Sequence, residues 1–170
     1  MQNAPKYLPK LLGASVAVAA TAVVGGVATS SGTSSDWYQE LDKPDWQPPP
    51  AAFPIAWTTL YAIIAAGSAS ALTRRARRVA AGGAARPGLK RALVLNLALN
   101  AGWCWAFFAR RDLRLAQANA AALALSSADL ARRVGKESRG WGRALGLYAA
   151  WCGFATALTV EIARRNPGAE

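Results

Sequence analysis

Histidine is absent from the 170 residues. That removes imidazole-ligated metals, a histidine-held haem and every Ser-His or Cys-His nucleophile pair. Cysteine is scarce, and Cys104 and Cys152 both sit inside apolar runs with no metal-site spacing. They read as small apolar fillers, not as a disulfide or a redox pair. Acidic residues number nine against twenty Lys and Arg, and charge of either sign is missing from 11–35, 46–73, 92–109, 115–128 and 144–160. The first two of these stretches hold 25 and 28 residues, enough to cross a hydrocarbon core of roughly 30 Å as helices. A water-soluble helical domain would alternate polar and apolar faces, which these stretches barely do. The absences exclude a soluble enzyme.

What is present describes an all-α integral membrane bundle of five transmembrane helices, one domain over residues 1–170, with a structured Pro/Trp-rich first loop. The expected spans are roughly 9–29, 51–72, 90–109, 114–134 and 143–164. The first run has two readings, a retained helix or a signal peptide with Lys6 and Lys10 as its basic region. Its length and Gly25-Gly26 fit the retained helix better. Five spans put the termini on opposite sides. Basic residues divide fourteen to six in favour of the N-terminal side, through the clusters Arg74–Arg78, Arg86–Arg91 and Arg132–Arg143. The positive-inside rule then sets the N-terminus in the cytoplasm and the C-terminus outside. The clusters lie at the ends of apolar runs, where they meet anionic head groups, and carry no interleaved aromatics; nucleic acid is not an expected partner.

Between the first two spans lies Asp36-Trp37-Tyr38-Gln39-Glu40-Leu41-Asp42-Lys43-Pro44-Asp45-Trp46-Gln47-Pro48-Pro49-Pro50. Proline fixes φ and removes an amide donor, so this is a shaped connector with a short helix near 36–41. Its aromatics fit an interfacial belt or a lid over the bundle equally well. In the third span Asn96, Asn100, Trp103 and Phe107 share one helical face. Ala98, Gly102 and Ala106 form a small-residue ridge about 200° away, suited to close helix packing or a dimer interface. The asparagines serve either as interhelical fasteners or as ligand contacts. In the fifth span Tyr148, Trp151, Ala155 and Thr159 line up, and in the second Trp57 and Tyr61 do so. Each stripe alone is ordinary packing; several helices offering aromatic and polar groups together is the composition of a ligand pocket. Asp129 beside Arg132 and Arg133, and Glu161 beside Arg164 and Arg165, read as ion pairs at helix ends.

The loop motif Trp37-Tyr38-x-x-Leu41-x-Lys43-Pro44-x-Trp46-x-Pro48-Pro49 is followed by Phe53-Pro54-Ile55-Ala56-Trp57-Thr58-x-Leu60-Tyr61. Further on come Leu97-Ala98-Leu99-Asn100-x-x-Trp103, Phe107-Phe108 and Tyr148-x-x-Trp151-x-x-Phe154-Ala155. In this order and spacing the chain resembles the translocator protein family, whose bacterial members are the tryptophan-rich sensory proteins (TspO), over nearly its whole length. The resemblance implies a five-helix bundle, commonly a homodimer, that binds tetrapyrroles such as protoporphyrin IX beneath the first loop. The matching ligand contacts are Tyr38, Trp57, Asn100, Trp103 and Trp151, with Phe107 and Ala155 on the same faces. Trp57 and Trp151 match the pair linked in the family to porphyrin binding and its light-dependent breakdown. Three departures stand out: Leu147-Tyr148 replaces Pro-Tyr, Leu158-Thr159 replaces Leu-Asn, and Val160 replaces the Tyr of a sterol motif. The last makes cholesterol a doubtful ligand. The Arg-rich, Lys-poor composition suggests a prokaryotic source.

The expected function is a membrane receptor or sensor that binds porphyrin and regulates its levels or traffic, with no required cofactor. A transporter of amphipathic ligands is the alternative, although neither internal repeats nor mid-span breaks appear. Light-dependent porphyrin degradation is a further one, without an acid–base pair, nucleophile or metal constellation to support turnover.

Overall fold

The computed structural model describes residues 4–84 and 88–169, with side chains from residue 7 onward. The Lys6 side chain, Arg86 and the two ends of the 1–170 domain lie outside the described residues. Helix α1 covers Ala4–Thr33, α2 Asp36–Glu40, α3 Ala52–Ala80, α4 Leu89–Cys104, α5 Leu113–Gly135 and α6 Arg139–Arg165. A π-helical turn over Trp105–Ala109 continues α4. The five long helices match the expected spans and extend most of them. Helix α3 has 29 residues, about 43 Å at 1.5 Å per residue. It therefore outreaches the hydrocarbon core and carries Arg74–Arg78 into the head-group layer, with Arg77 and Arg78 favourably placed in its last turn.

Four of these helices are long and apolar enough to cross a membrane, and α5 is the exception. Its Asp129 and the ion pairs it makes with Arg132 and Arg133 lower its apolarity toward one end. Its 23 residues still reach about 34 Å. Helix α1 packs on α3 and α4, α4 on α5, α5 on α6, and α6 on α3. The result is a closed ring in the order α1–α3–α6–α5–α4.

Small residues bring the helices close, as expected where lipid supplies no hydrophobic drive between them. On α1 the buried positions are Ala14, Val18, Thr21, Gly25, Ala28 and Gly32, alternating by four and three. A Cβ at Gly25 would lie 3.1 Å from Cys104 Sγ, and one at Gly32 would collide with Phe108. Gly25 is thus a contact position inside an unbroken helix, while Gly26 beside it faces outward. At the far end of the bundle, Arg78 of α3 holds Glu137, in the α5–α6 turn, through paired hydrogen bonds of 2.9 and 3.0 Å.

Candidate ligand site

The α4 face forms as its spacing predicts, but its asparagines are occupied. The Tyr61 hydroxyl donates to Asn100 Oδ1 at 2.7 Å, and Asn100 Nδ2 donates to the Tyr148 hydroxyl at 3.4 Å. That hydroxyl donates in turn to Asn96 Oδ1 at 3.0 Å, and Asn96 Nδ2 donates to Ser127 Oγ at 2.9 Å. Four helices, α3 to α6, are fastened by this chain. Asn100 is buried and bonded at both ends of its amide, so in this state it acts as a fastener.

The helix then changes pitch. Arg110 N–H bonds to Trp105 C=O at 2.9 Å, the wide spacing of a π-turn. One extra residue per turn lets Ala106, Phe107 and Phe108 all be buried in succession, which a regular α-helix would splay over more than half its circumference. Trp103 stacks on Phe107 with ring centres 5.2 Å apart, and Phe108 meets both edge-on. Helix α2 lays Trp37 and Tyr38 on this group, 5.6 Å from Phe107 and 5.5 Å from Phe108 respectively. The first loop therefore lies with two of its aromatic residues packed on the end of α4. Burial pushes the Tyr38 hydroxyl above its ordinary value, opposed by a weaker hydrogen bond with Gln47. It remains a proton donor at neutral pH.

A second aromatic group joins α3 to α6. Trp57 lies 5.7 Å from Tyr61 and 6.3 Å from Tyr148. Trp151 lies 6.1 Å from Phe53 and 5.4 Å from Phe154, and Trp46 of the loop covers Phe154 at 5.7 Å. Ala155 follows on the α6 face, half-buried. The two groups contain every aromatic residue expected at the site: Tyr38, Trp103 and Phe107 in one, Trp57 and Trp151 in the other. Phe53, Phe108 and Phe154 belong to the sequence motifs but are not among the expected ligand contacts. Phe108 stands in the Phe107-Phe108 motif, but helical period alone puts it off the Phe107 face, because nothing in the sequence marks a π-turn.

Two polar atoms in these groups stand out. The indole N–H groups of Trp103 and Trp151 are buried and lack a hydrogen-bond partner among the described residues. A buried donor without an acceptor costs about 1–3 kcal/mol, and each of the two aromatic groups carries one such donor, Trp103 beside Phe107 and Trp151 beside Phe53 and Phe154.

The small-residue ridge does not form one outward face. Ala98 is exposed, beside an apolar groove between α1 and α4. Gly102 turns toward α5, where an added Cβ would lie 2.9 Å from Asn119 Nδ2, and Ala106 is buried within its own chain.

A closed five-helix ring, capped by a Trp-rich loop over aromatic faces, is what the resemblance requires. The TspO/MBR family model matches residues 14–165. The chain belongs to the TspO/MBR family. As a member it is a multi-pass integral membrane protein. It is 32% identical over 136 residues to Protein CrtK of Rhodobacter capsulatus, covering 78% of this chain and 79% of that one. To the membrane protein YtaB of Bacillus subtilis it is 28% identical over 131 residues, 77% of this chain and 81% of the relative. A tryptophan-rich sensory protein of Cereibacter sphaeroides matches over 26 residues at 58% identity, 15% of this chain and 16% of that one. Against this TspO/MBR background, Leu147-Tyr148 leaves α6 unbroken, since no proline interrupts its hydrogen bonds. Thr159 turns its hydroxyl back to Ala155 C=O at 2.8 Å, and Val160 is exposed.

Proposed function

We propose that this TspO/MBR protein is a membrane receptor that binds a planar tetrapyrrole of the protoporphyrin IX type between its loop-capped aromatic groups. The observation that carries the reading is the pair of buried, unpartnered indole donors on Trp103 and Trp151. A dicarboxylate macrocycle supplies acceptors for both and a flat π-surface for the surrounding rings. Tyr38 adds a third donor from the loop, while Asn96 and Asn100 hold the helices that carry the rings. The proposal is for binding and regulation of porphyrin levels, not for turnover.

The test is a titration of detergent-solubilised protein with protoporphyrin IX in the dark, followed by tryptophan quenching. Wild type should saturate in the micromolar range. The Trp57→Phe, Trp151→Phe variant retains five of seven tryptophans as reporters and should bind at least tenfold more weakly. Equal affinity in the variant would move the ligand elsewhere, and absence of saturable binding would remove this ligand altogether.

Orientation belongs to the same reading: the N-terminus is cytoplasmic and the capped site opens on the opposite side, as the basic clusters favour. A membrane-impermeant thiol probe applied to right-side-out vesicles should label Gln39→Cys and spare Lys136→Cys. Reversed labelling would invert the assignment. For a homodimer, Ala98 and the exposed α1 surface are the contact available, because Gly102 and Ala106 are engaged inside the protomer.

A further inference from the structure

The segment that follows α6 does not trail away from the bundle. The Trp37 indole N–H donates to Ala169 C=O at 2.7 Å, across 132 residues of sequence. The Asn166 side chain meets the backbone of Asp42 twice: Asp42 N–H donates to Asn166 Oδ1 at 2.8 Å, and Asn166 Nδ2 donates to Asp42 C=O at 2.9 Å. This is the two-point pairing one strand residue makes with its neighbour, made here by a side-chain amide. The same Nδ2 also donates to Ile162 C=O at 2.7 Å, which fixes Asn166 to the end of α6. Arg165 adds an ion pair to Asp42 at 3.6 Å.

Among the described residues the loop's other backbone hydrogen bonds are local: Tyr38 N–H donates to Ser35 Oγ, Lys43 Nζ donates to the Gln39 and Leu41 carbonyls, and Gln47 N–H donates to Pro44 C=O. Helix α2 has five residues and no fully buried one, and 42–44 and 48–49 have no regular structure. A five-residue helix is far below the length that is stable alone. Pro44, Pro48, Pro49 and Pro50 stiffen the connector but donate no hydrogen bonds. Buried Leu41 and the ring contacts seat α2 from below, and the segment after α6 is what ties the loop backbone to a distant helix. From the other side Arg111 lies over the Trp37 ring, 5.9 Å from its centre, on the one non-glycine residue described with positive φ, 57°.

We infer that Asn166 is the positioning residue of the loop, and that Asn166–Ala169 is a strap which must loosen before ligand enters or leaves the aromatic site. The role in ligand exchange rests on the binding reading above; the strap itself does not. Loss of the two Asp42 pairings frees the loop backbone without touching any ring that would meet the ligand. Ligand rates then rise in both directions while affinity changes little, because the closed site is unaltered.

Hydrogen exchange of the unliganded full chain in detergent tests the strap. In Asn166→Ala, amides of 36–47 should exchange about tenfold faster, with α3, α4 and α5 unchanged. Trp37→Phe keeps a ring on Phe107, removes only the bond to Ala169 and should give a smaller rise over the same residues. Unchanged exchange at 36–47 in both variants overturns the strap. Stopped-flow mixing with protoporphyrin IX tests its role in exchange of ligand. Association and dissociation should both quicken about tenfold in Asn166→Ala, with Kd within threefold of wild type. A freed loop with unaltered rates would show that ligand passes elsewhere and overturn that role. If wild type binds no protoporphyrin IX, the ligand assignment fails, and the exchange measurement still decides the strap.

Discussion

Gly142→Ala should lower the thermal unfolding midpoint in detergent by about 4–8 °C, and Gly146→Ala, one turn later on the same helix, should leave it equal or higher. Both substitutions replace glycine with the best helix former, worth about 1 kcal/mol in a helix interior. By propensity alone both stabilise. The surroundings separate them. A Cβ at Gly146 meets nothing within 4 Å. At Gly142 it would collide with Gly135 Cα of α5, and it would lie 3.0 Å from Gly135 N and 3.3 Å from Ala131 O. These are backbone atoms, which no rotamer change can withdraw. The α5–α6 crossing must open, and this is the most extensive helix contact in the bundle. Overpacking against fixed backbone costs about 3 kcal/mol, the upper end of the usual range, and leaves a net loss of about 2 kcal/mol after the propensity gain. At roughly 2–4 °C per kcal/mol for a chain of this size, the stated shift follows. Equal midpoints for the two variants would mean that α5 and α6 do not touch where Gly135 and Gly142 meet.

That crossing was hidden in the sequence, and the reason is general. Gly135 and Gly142 sit either side of the turn, outside the charge-free runs, in a segment whose Arg and Lys residues draw attention to orientation. Single-helix properties were legible. The charge-free runs gave the five spans, because a helix in lipid must be apolar over about 20 residues. The spacing of Asn96, Asn100 and Trp103 gave an inward face, because helical period fixes direction. Properties that need two elements at once were not. Whether Asn100 meets a ligand or a neighbour depends on where Tyr61 and Tyr148 stand, and either was compatible with its position. The ridge of Ala98, Gly102 and Ala106 reads as one outward face, but which neighbour covers each residue depends on where α1 and α5 stand: Asn119 of α5 reaches Gly102, and Ala98 stays exposed. The motif that extends past α6 to Asn166 gave no hint that this residue reaches back to Asp42. Nothing local in Asn-Pro-Gly-Ala asks for a partner 124 residues away.

The aromatic site yields the second large effect. Replacing Trp103 and Trp151 together by Phe should weaken protoporphyrin IX binding by two orders of magnitude or more while unliganded stability stays within about 1 kcal/mol of wild type. Two terms oppose in the free protein. Trimming indole to phenyl leaves unfilled volume, which destabilises. Removing a buried N–H that has no acceptor relieves about 1–3 kcal/mol per group, which stabilises. Phe at 103 keeps the stack on Phe107, and Phe at 151 keeps its neighbours Phe53 and Phe154. In the complex only one term acts, the loss of a hydrogen bond to a charged acceptor, about 1.5–3 kcal/mol each. Each such loss is tenfold or more in Kd. Tyr148→Phe supplies the opposite case. Its hydroxyl is fully buried and bonded to both Asn96 and Asn100, so its removal strands amide groups inside the bundle. Stability should fall by about 1–2 kcal/mol, a cost that membrane interiors keep modest. Affinity should follow only as far as the helices shift. If the Trp103, Trp151 variant instead loses stability as Tyr148→Phe does, the indoles are fasteners like the asparagines. The two N–H groups would then serve the fold and not a ligand.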